Sequence, residues 1–191
     1  MFATLFAPIN STLIKFREVS RMDIIEKALK FATDAHEGQT RKYTGDPYIV
    51  HPIAVSRIVE SVTDDKEVIA SALLHDTVED TDVSLEQIEQ EFGPRVALLV
   101  ENLTDVSTLD QGNRKTRKRI DLEHTAKAIP EAKTVKLADL IHNSGSITKY
   151  DTKFSVTYMS EKKQLLAVLK EGNETLYKKA EHIVMSYYKN T

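Results

Sequence analysis

The sequence predicts an all-α fold, built as a single domain. Apolar residues recur at three- and four-residue steps along nearly the whole chain, the spacing of one helix face. No segment alternates apolar with polar residues, and no asparagine–glycine or aspartate–glycine turn joins two such segments. Caps and breakers fall between the periodic stretches, as in a chain of about eight helices.

The first helix starts after Asp23 and carries Ile24, Ile25, Ala28, Leu29, Ala32 and Ala35 on one face. Gly38 is its natural stop. The polar loop QTRKYTGDPY follows, with Gly45 and Pro47 marking a turn. A second helix is expected from Pro52, a proline in its tolerated first turn, to about Val62. The stretch DDKEVIASALLHDTVEDT opens with acids suited to a helix start and runs on through Val68, Ile69, Ala72 and Leu73. Ser84 and Gln87 form a capping box for a short helix ending near Gly93. Further helices are expected from Arg95 to about Asp105, over RKTRKRIDLEHTAKAI after Gly112, and over AKTVKLADLIHN after the break at Pro130. Periodic segments near 155–170 and 174–188 complete the chain. Such a domain builds its site between helices, from side chains projecting inward.

Composition narrows the chemistry. The 191 residues include no cysteine, which removes disulfides, thiolate metal sites and cysteine nucleophiles together. Any metal must then be held by His, Asp or Glu. With 26 Lys+Arg against 29 Asp+Glu, the net charge of −3 argues against a nucleic-acid partner. A local basic patch that meets a small phosphorylated ligand is still compatible with it. Residues 1–20 read as a poorly patterned N-terminal extension, ahead of a domain over 21–191. Pro8 and Asn10 interrupt its apolar run and no basic residue precedes it, so neither a secretory signal nor a membrane span is expected. The expected location is the cytoplasm.

The segment ALLHDTVEDT, residues 72–81, gathers His75, Asp76, Glu79 and Asp80 at the end of an apolar run. If the helix continues through it, His75 shares a face with Glu79, and Asp76 with Asp80. Three acids so close repel one another unless a cation or a proton sits among them. The same residues also fit a solvated acidic helix end with one incidental histidine. His51 lies among apolar residues just before Pro52, where a hydrogen-bonded core histidine would serve equally. Asp139 stands in mid-helix among Val135, Leu137, Ala138, Leu140 and Ile141, a costly place for a carboxylate without a partner or a metal. Together these positions offer two imidazoles and two aspartates, donors suited to manganese, iron or zinc rather than calcium.

In order along the chain, AHEGQTRKYTGDPYIVHPIAV, ALLHDTVEDT, EFGPRVALLVENLTDV and VKLADLIHN resemble the motifs of the HD-superfamily phosphohydrolases. The resemblance is specific to the hydrolase domain of the RelA/SpoT homologues. Its single-domain members are the small alarmone hydrolases, the metazoan SpoT homologue among them. It covers approximately residues 22–185. The resemblance implies that His51, His75, Asp76 and Asp139 hold one Mn²⁺, and that Glu79 and Asp80 serve the attacking water. A divalent ion polarises phosphate and acidifies water, and a carboxylate beside it can take the water's proton. Glu79 is expected in that role, with Asp80 assisting or orienting the water. The resemblance also assigns Arg41 to stacking on guanine and Lys42 to base or phosphate contacts, roles that suit a planar guanidinium and a compact ammonium. Apart from the family, the pair would read as solvated loop cations. Asn143, four residues after Asp139, is implied to line the nucleotide pocket, with an exposed helix cap as the alternative.

The implied activity is manganese-dependent removal of the 3′-pyrophosphate from guanosine 3′,5′-bis(diphosphate) or its pentaphosphate form, giving GDP or GTP and pyrophosphate. A chain of this length leaves no room for the synthetase and regulatory domains of the long family members, so breakdown rather than synthesis is expected. The competing readings are an NADPH 2′-phosphatase or another HD nucleotide phosphohydrolase, a non-catalytic alarmone-binding regulatory module, and a helical scaffold with a structural metal. Glu79 and Asp80 speak against a sensor, which has no need to activate water. In the basic run NRKTRKR, Lys115 and Arg119 are candidates for drawing a charged nucleotide inward, although charge runs are usually solvated helix faces. Two departures stand out. HNSGSI lacks an arginine that often follows the Asp139 motif, a phosphate contact that Lys149 is placed to replace, and the loop RKYTGDPY is one residue longer than the shortest family form. His36, His124, His142 and His182 are assigned to surface or structural roles.

Overall fold

Asp23 opens the first helix, α1 (Ile24–Ala35), by accepting a hydrogen bond from the Ile25 N–H. The computed structural model describes residues 22–189, so the expected extension at 1–20 lies outside the described residues. Ala28 and Ala32 are fully buried on α1, and their small side chains let it lie close against α3 (Lys66–Leu74). The helix α2 (Val50–Glu60) begins two residues before the expected Pro52. Asp65 caps α3 through the Glu67 and Val68 N–H groups and also receives both terminal nitrogens of Arg95. Every residue of α3 from Val68 to Leu74 is buried, which makes it the central helix of the domain.

The helix does not continue through residue 81: α3 stops at Leu74, and α4 (Thr77–Asp80) is a separate single turn. The cause is local. His75 Nδ1 lies 2.8 Å from the Ala72 carbonyl and Thr77 Oγ1 donates to the Leu74 carbonyl at 2.7 Å, so side chains take the acceptors a continuing helix would use.

The capping box at Ser84 starts α5 (Leu85–Phe92) as expected. Gly93, at φ 87°, turns the chain directly into α6 (Pro94–Leu103). A loop with one 3-10 turn (Leu109–Gln111) leads to α7 (Arg114–Ala126), which Asn113 caps. Pro130 then opens α8 (Pro130–Tyr150), which runs on through Gly145, past the end of the motif. The last two helices are α9 (Thr152–Val168) and α10 (Glu174–Lys189). The only β pairing among the described residues is an isolated bridge between Thr40 and Pro47, which tightens the polar loop.

Two apolar clusters share the interior. One joins α1, α3, α5 and α6 around Leu73, Leu74 and Ile88, and the other joins α2, α3, α6, α8, α9 and α10 around Leu99, Leu140 and Met159. Helix α8 packs against α2, α3, α6, α9 and α10, so its middle faces the end of α3 and the start of α2. No helix among the described residues is long and apolar enough to cross a membrane.

Candidate metal centre and nucleotide cleft

The first turn of α2, the end of α3 and the middle of α8 bring His51, His75, Asp76 and Asp139 together. His51 Nε2 lies 3.4 Å from Asp76 Oδ2 and 3.2 Å from Asp139 Oδ1. His75 Nε2 lies 3.2 Å from Asp76 Oδ2 and 3.9 Å from Asp139 Oδ1. Both imidazoles are buried, at 1% and 4% exposure. One donor atom from each of His51, His75 and Asp76 lies within 4.8 Å of the others, a spacing that can hold a metal ion.

The other side of each ring is committed. His75 Nδ1 is used by the Ala72 carbonyl, while its buried Nε2 has no hydrogen-bond partner. A buried imidazole nitrogen left bare while its twin is anchored is the arrangement of a metal ligand. The donors present therefore fit a divalent cation. Electrostatics agrees. Burial opposes protonation of His75, but Asp76 and Asp139 outweigh it and push its pKa up to about 9. Burial likewise favours the neutral acids, yet the two histidines hold Asp76 and Asp139 below the usual carboxylate range. The cluster attracts positive charge, as protons or as a metal.

Of the surface and structural roles expected for His142, the structure gives it a structural one. Its Nδ1 lies 2.7 Å from His51 Nδ1, so it is a partner of the candidate ligand rather than a surface residue. Burial, with His51 and Arg41 nearby, pushes the His142 pKa down to about 4, which keeps it neutral near pH 7. His36, assigned to the same class, is buried and packs on the Tyr48 ring at 4.6 Å between centroids.

A cleft of about 1060 Å³ opens over the cluster. Glu79 and Asp80 line it beside the candidate ligands. Glu79 Oε2 accepts the Asp105 N–H at 3.2 Å, and burial together with the Asp105 charge pushes its carboxyl up to about 7. Tyr48 Oη bridges Asp76 Oδ2 at 2.7 Å and Asp80 Oδ2 at 2.9 Å, linking a candidate ligand to a candidate catalytic acid. Burial and Asp76 raise the pKa of Asp80. The basic side comes from Arg114, Lys115, Lys118 and Arg119 of α7, Lys136 of α8 and Lys162 of α9.

Asn143 also lines the cleft and ties the loop to it: its Nδ2 donates to Asp139 Oδ1 at 2.6 Å, and its Oδ1 accepts Arg41 Nη2 at 2.7 Å. Arg41 is itself off the cleft lining and lies 5.6 Å from the centre of the Tyr48 ring. Lys42 and Lys149 are not on the cleft lining. Each folds over a neighbouring tyrosine ring instead, Lys42 at 4.9 Å from Tyr43 and Lys149 at 4.8 Å from Tyr150. The sequence reading passed over Tyr48, Asp105, Lys136 and Lys162. Only Lys136 carried a signal, as a lysine in an apolar helix three residues before Asp139.

The family model for the HD domain matches residues 28–173. This chain belongs to the HD domain family. Among relatives of this HD-domain chain, guanosine-3′,5′-bis(diphosphate) 3′-pyrophosphohydrolase MESH1 of Homo sapiens is 47% identical over 120 residues, covering 61% of this chain and 65% of that protein. The putative GTP diphosphokinase RSH1, chloroplastic, of Oryza sativa subsp. japonica is 42% identical over 146 residues, covering 71% of this chain but 16% of that protein. The HD-domain chain thus spans under two thirds of the length of either. A solved structure, described as a metazoan ortholog of SpoT that hydrolyzes ppGpp and plays a role in starvation responses, superposes with a TM-score of 0.78 at 34% identity. That likeness covers 87% of this chain and 96% of the other, so the all-α HD-domain fold is common to both.

Proposed function

We propose that this chain hydrolyses the 3′-pyrophosphate of guanosine 3′,5′-bis(diphosphate) or its pentaphosphate form, with one Mn²⁺ held by His51, His75, Asp76 and Asp139. The observation that carries the reading is the buried Nε2 of His75, which has no hydrogen bond and faces Asp76 and Asp139, at a cleft that combines acids for proton transfer with cations for phosphate. The named activities of the human relative and of the solved metazoan protein support the substrate class. Two imidazoles and two carboxylates suit manganese, iron or zinc rather than calcium, and manganese is the ion that the family resemblance implies. When bound, the ion supplies a Lewis acid for the phosphoryl oxygens and acidifies water.

The chain's own residues supply the rest. Glu79 accepts a proton from the attacking water, and its raised pKa makes it a better base than an ordinary carboxylate while leaving it substantially ionised near neutral pH. Asp80, held by Tyr48, orients that water. Water adds to the phosphorus attached to the ribose 3′-oxygen, that P–O bond breaks, and the 3′-oxygen departs as a hydroxyl with the proton returned to it. The products are GDP or GTP and pyrophosphate. Arg41 stacks on the guanine while Asn143 fixes the guanidinium, and Lys115 and Arg119 draw the polyanion toward the cleft. Lys42 and Lys149, set off the lining, contribute at most to the outer phosphates. A cytoplasmic setting belongs to the same proposal, in keeping with a chain that has no cysteine to oxidise.

The test is a substrate panel with purified, Mn²⁺-loaded protein and chromatographic identification of products. Pyrophosphate and GDP are expected from the bis(diphosphate). Release of inorganic phosphate from NADPH, with no attack on the guanosine nucleotide, would overturn the assignment.

A further inference from the structure

The cations around the cleft differ in what they are already doing. Arg114 is held by Glu161 through two bonds of 2.8 Å, and Lys118 is paired with Asp105. Lys136 donates to the Leu103 carbonyl at 2.6 Å and lies 3.6 Å from Asp105. Arg119 lies 3.9 Å from Glu123. Lys115 and Lys162 are different: among the described residues neither has a hydrogen bond or a carboxylate within 4.0 Å, but Lys115 is exposed whereas Lys162 is half-buried. Its ammonium sits 5.0 Å from the centre of the Tyr158 ring, whose own hydroxyl is buried without a hydrogen bond. A half-buried ammonium with no carboxylate beside it has its charge only partly compensated, and an anion entering the cleft can meet it.

The position of that charge narrows the anion. The leading influences on Lys162 after burial are attraction from Asp139 and repulsion from Lys136 and Lys118. It therefore belongs to the part of the cleft beside the candidate ligand Asp139. Once the Asp139 carboxylate is engaged by a divalent cation, it balances Lys162 less, while Lys118 and Lys136 keep Asp105 beside them. The phosphate group that reacts at the metal is then the anion nearest to Lys162.

We propose that Lys162 binds the 3′-diphosphate of the substrate and the pyrophosphate released from it, as a subsite separate from the one that holds the 5′-phosphates. The inference rests on the phosphohydrolase reading above and adds a specific residue and group to it. It accounts for a half-buried lysine without an ion-pair partner on the cleft lining. It also supplies from α9 a phosphate contact in a chain whose HNSGSI segment lacks the expected arginine.

The test is calorimetric titration of the Mn²⁺-loaded protein with pyrophosphate and, separately, with GDP, for the parent, Lys162→Met and Lys162→Arg. Methionine keeps the aliphatic stem and removes the charge. Loss of a charge-assisted hydrogen bond predicts about ten- to hundredfold weaker pyrophosphate binding by Lys162→Met, with GDP affinity within about twofold of parental. Lys162→Arg retains the charge and should lose much less. Equal weakening of both ligands would overturn the assignment to the 3′ group. Unchanged pyrophosphate affinity with weaker Mn²⁺ binding would overturn it too, leaving Lys162 as a counter-charge for Asp139. The same titrations stay informative if the parent fails to hydrolyse the guanosine nucleotide: Lys162-dependent pyrophosphate binding would then uphold the diphosphate subsite while the proposed substrate falls.

Discussion

Replacing His142 with leucine should weaken Mn²⁺ binding without touching any candidate ligand. The 2.7 Å contact joins two Nδ1 atoms, so one must carry the proton and the other the lone pair. His142 is neutral near pH 7, with its pKa pushed down to about 4, and can accept from the His51 Nδ1–H. That fixes the tautomer of His51 with Nε2 bare toward Asp76 and Asp139, the form a ligand must take. His51 is only 1% exposed, so water has little access to replace the lost acceptor. A buried donor without a partner costs about 1–3 kcal/mol. The metal-free protein can relieve this by moving the proton or turning the ring, whereas the metal-bound protein cannot. The cost therefore falls on binding, and about ten- to hundredfold weaker affinity is expected, in line with outer-sphere partners of metal histidines. Competition with a fluorescent chelator measures it. His142→Gln, whose amide oxygen can accept the same proton, should recover most of the affinity. Binding by His142→Leu within twofold of parental would refute the reasoning. So would a glutamine variant as weak as the leucine one when the metal-free melting temperatures agree.

Two further outcomes follow from the geometry. Glu79 must be ionised to accept a proton, so kcat/KM should rise with pH through the region of its raised pKa, about 7, displaced downward by the charge of a bound cation. Glu79→Gln should abolish that limb and lower kcat by about 10²–10⁴; turnover within a few-fold of parental would remove Glu79 from proton transfer. On stability, a Cβ at Gly172 would stand 2.9 Å from Leu137 Cδ1 and 3.0 Å from the Lys133 carbonyl carbon, where the α9–α10 link crosses α8. Gly172→Ala should therefore cost about 1–3 kcal/mol through overpacking, seen as a lower urea midpoint at unchanged slope; a midpoint at the parental value would show that the link relaxes freely.

Much of the fold was legible because helix starts are local chemistry. Asp23, Ser84 and Pro130 act on amide groups within a few residues of themselves, and the chain order alone locates them. The donor types at His51, His75, Asp76 and Asp139 were also legible, since a carboxylate in an apolar helix and three crowded acids each demand a cause. The break after Leu74 was not, because it depends on which carbonyls the His75 and Thr77 side chains capture. Nor was His142. On an isolated helix it points away from Asn143, but it lies three residues after Asp139, and the packing of α2 on α8 sets His51 against it. Lys149 shows the converse: it is near Asn143 along the chain, yet α8 continues and carries it to the Tyr150 ring, off the cleft lining. Residue types and their local periods thus determined the helices and the chemistry available. Which nitrogen faces the centre and which lysine goes unpaired was decided only by packing, because both depend on contacts between residues far apart in the chain.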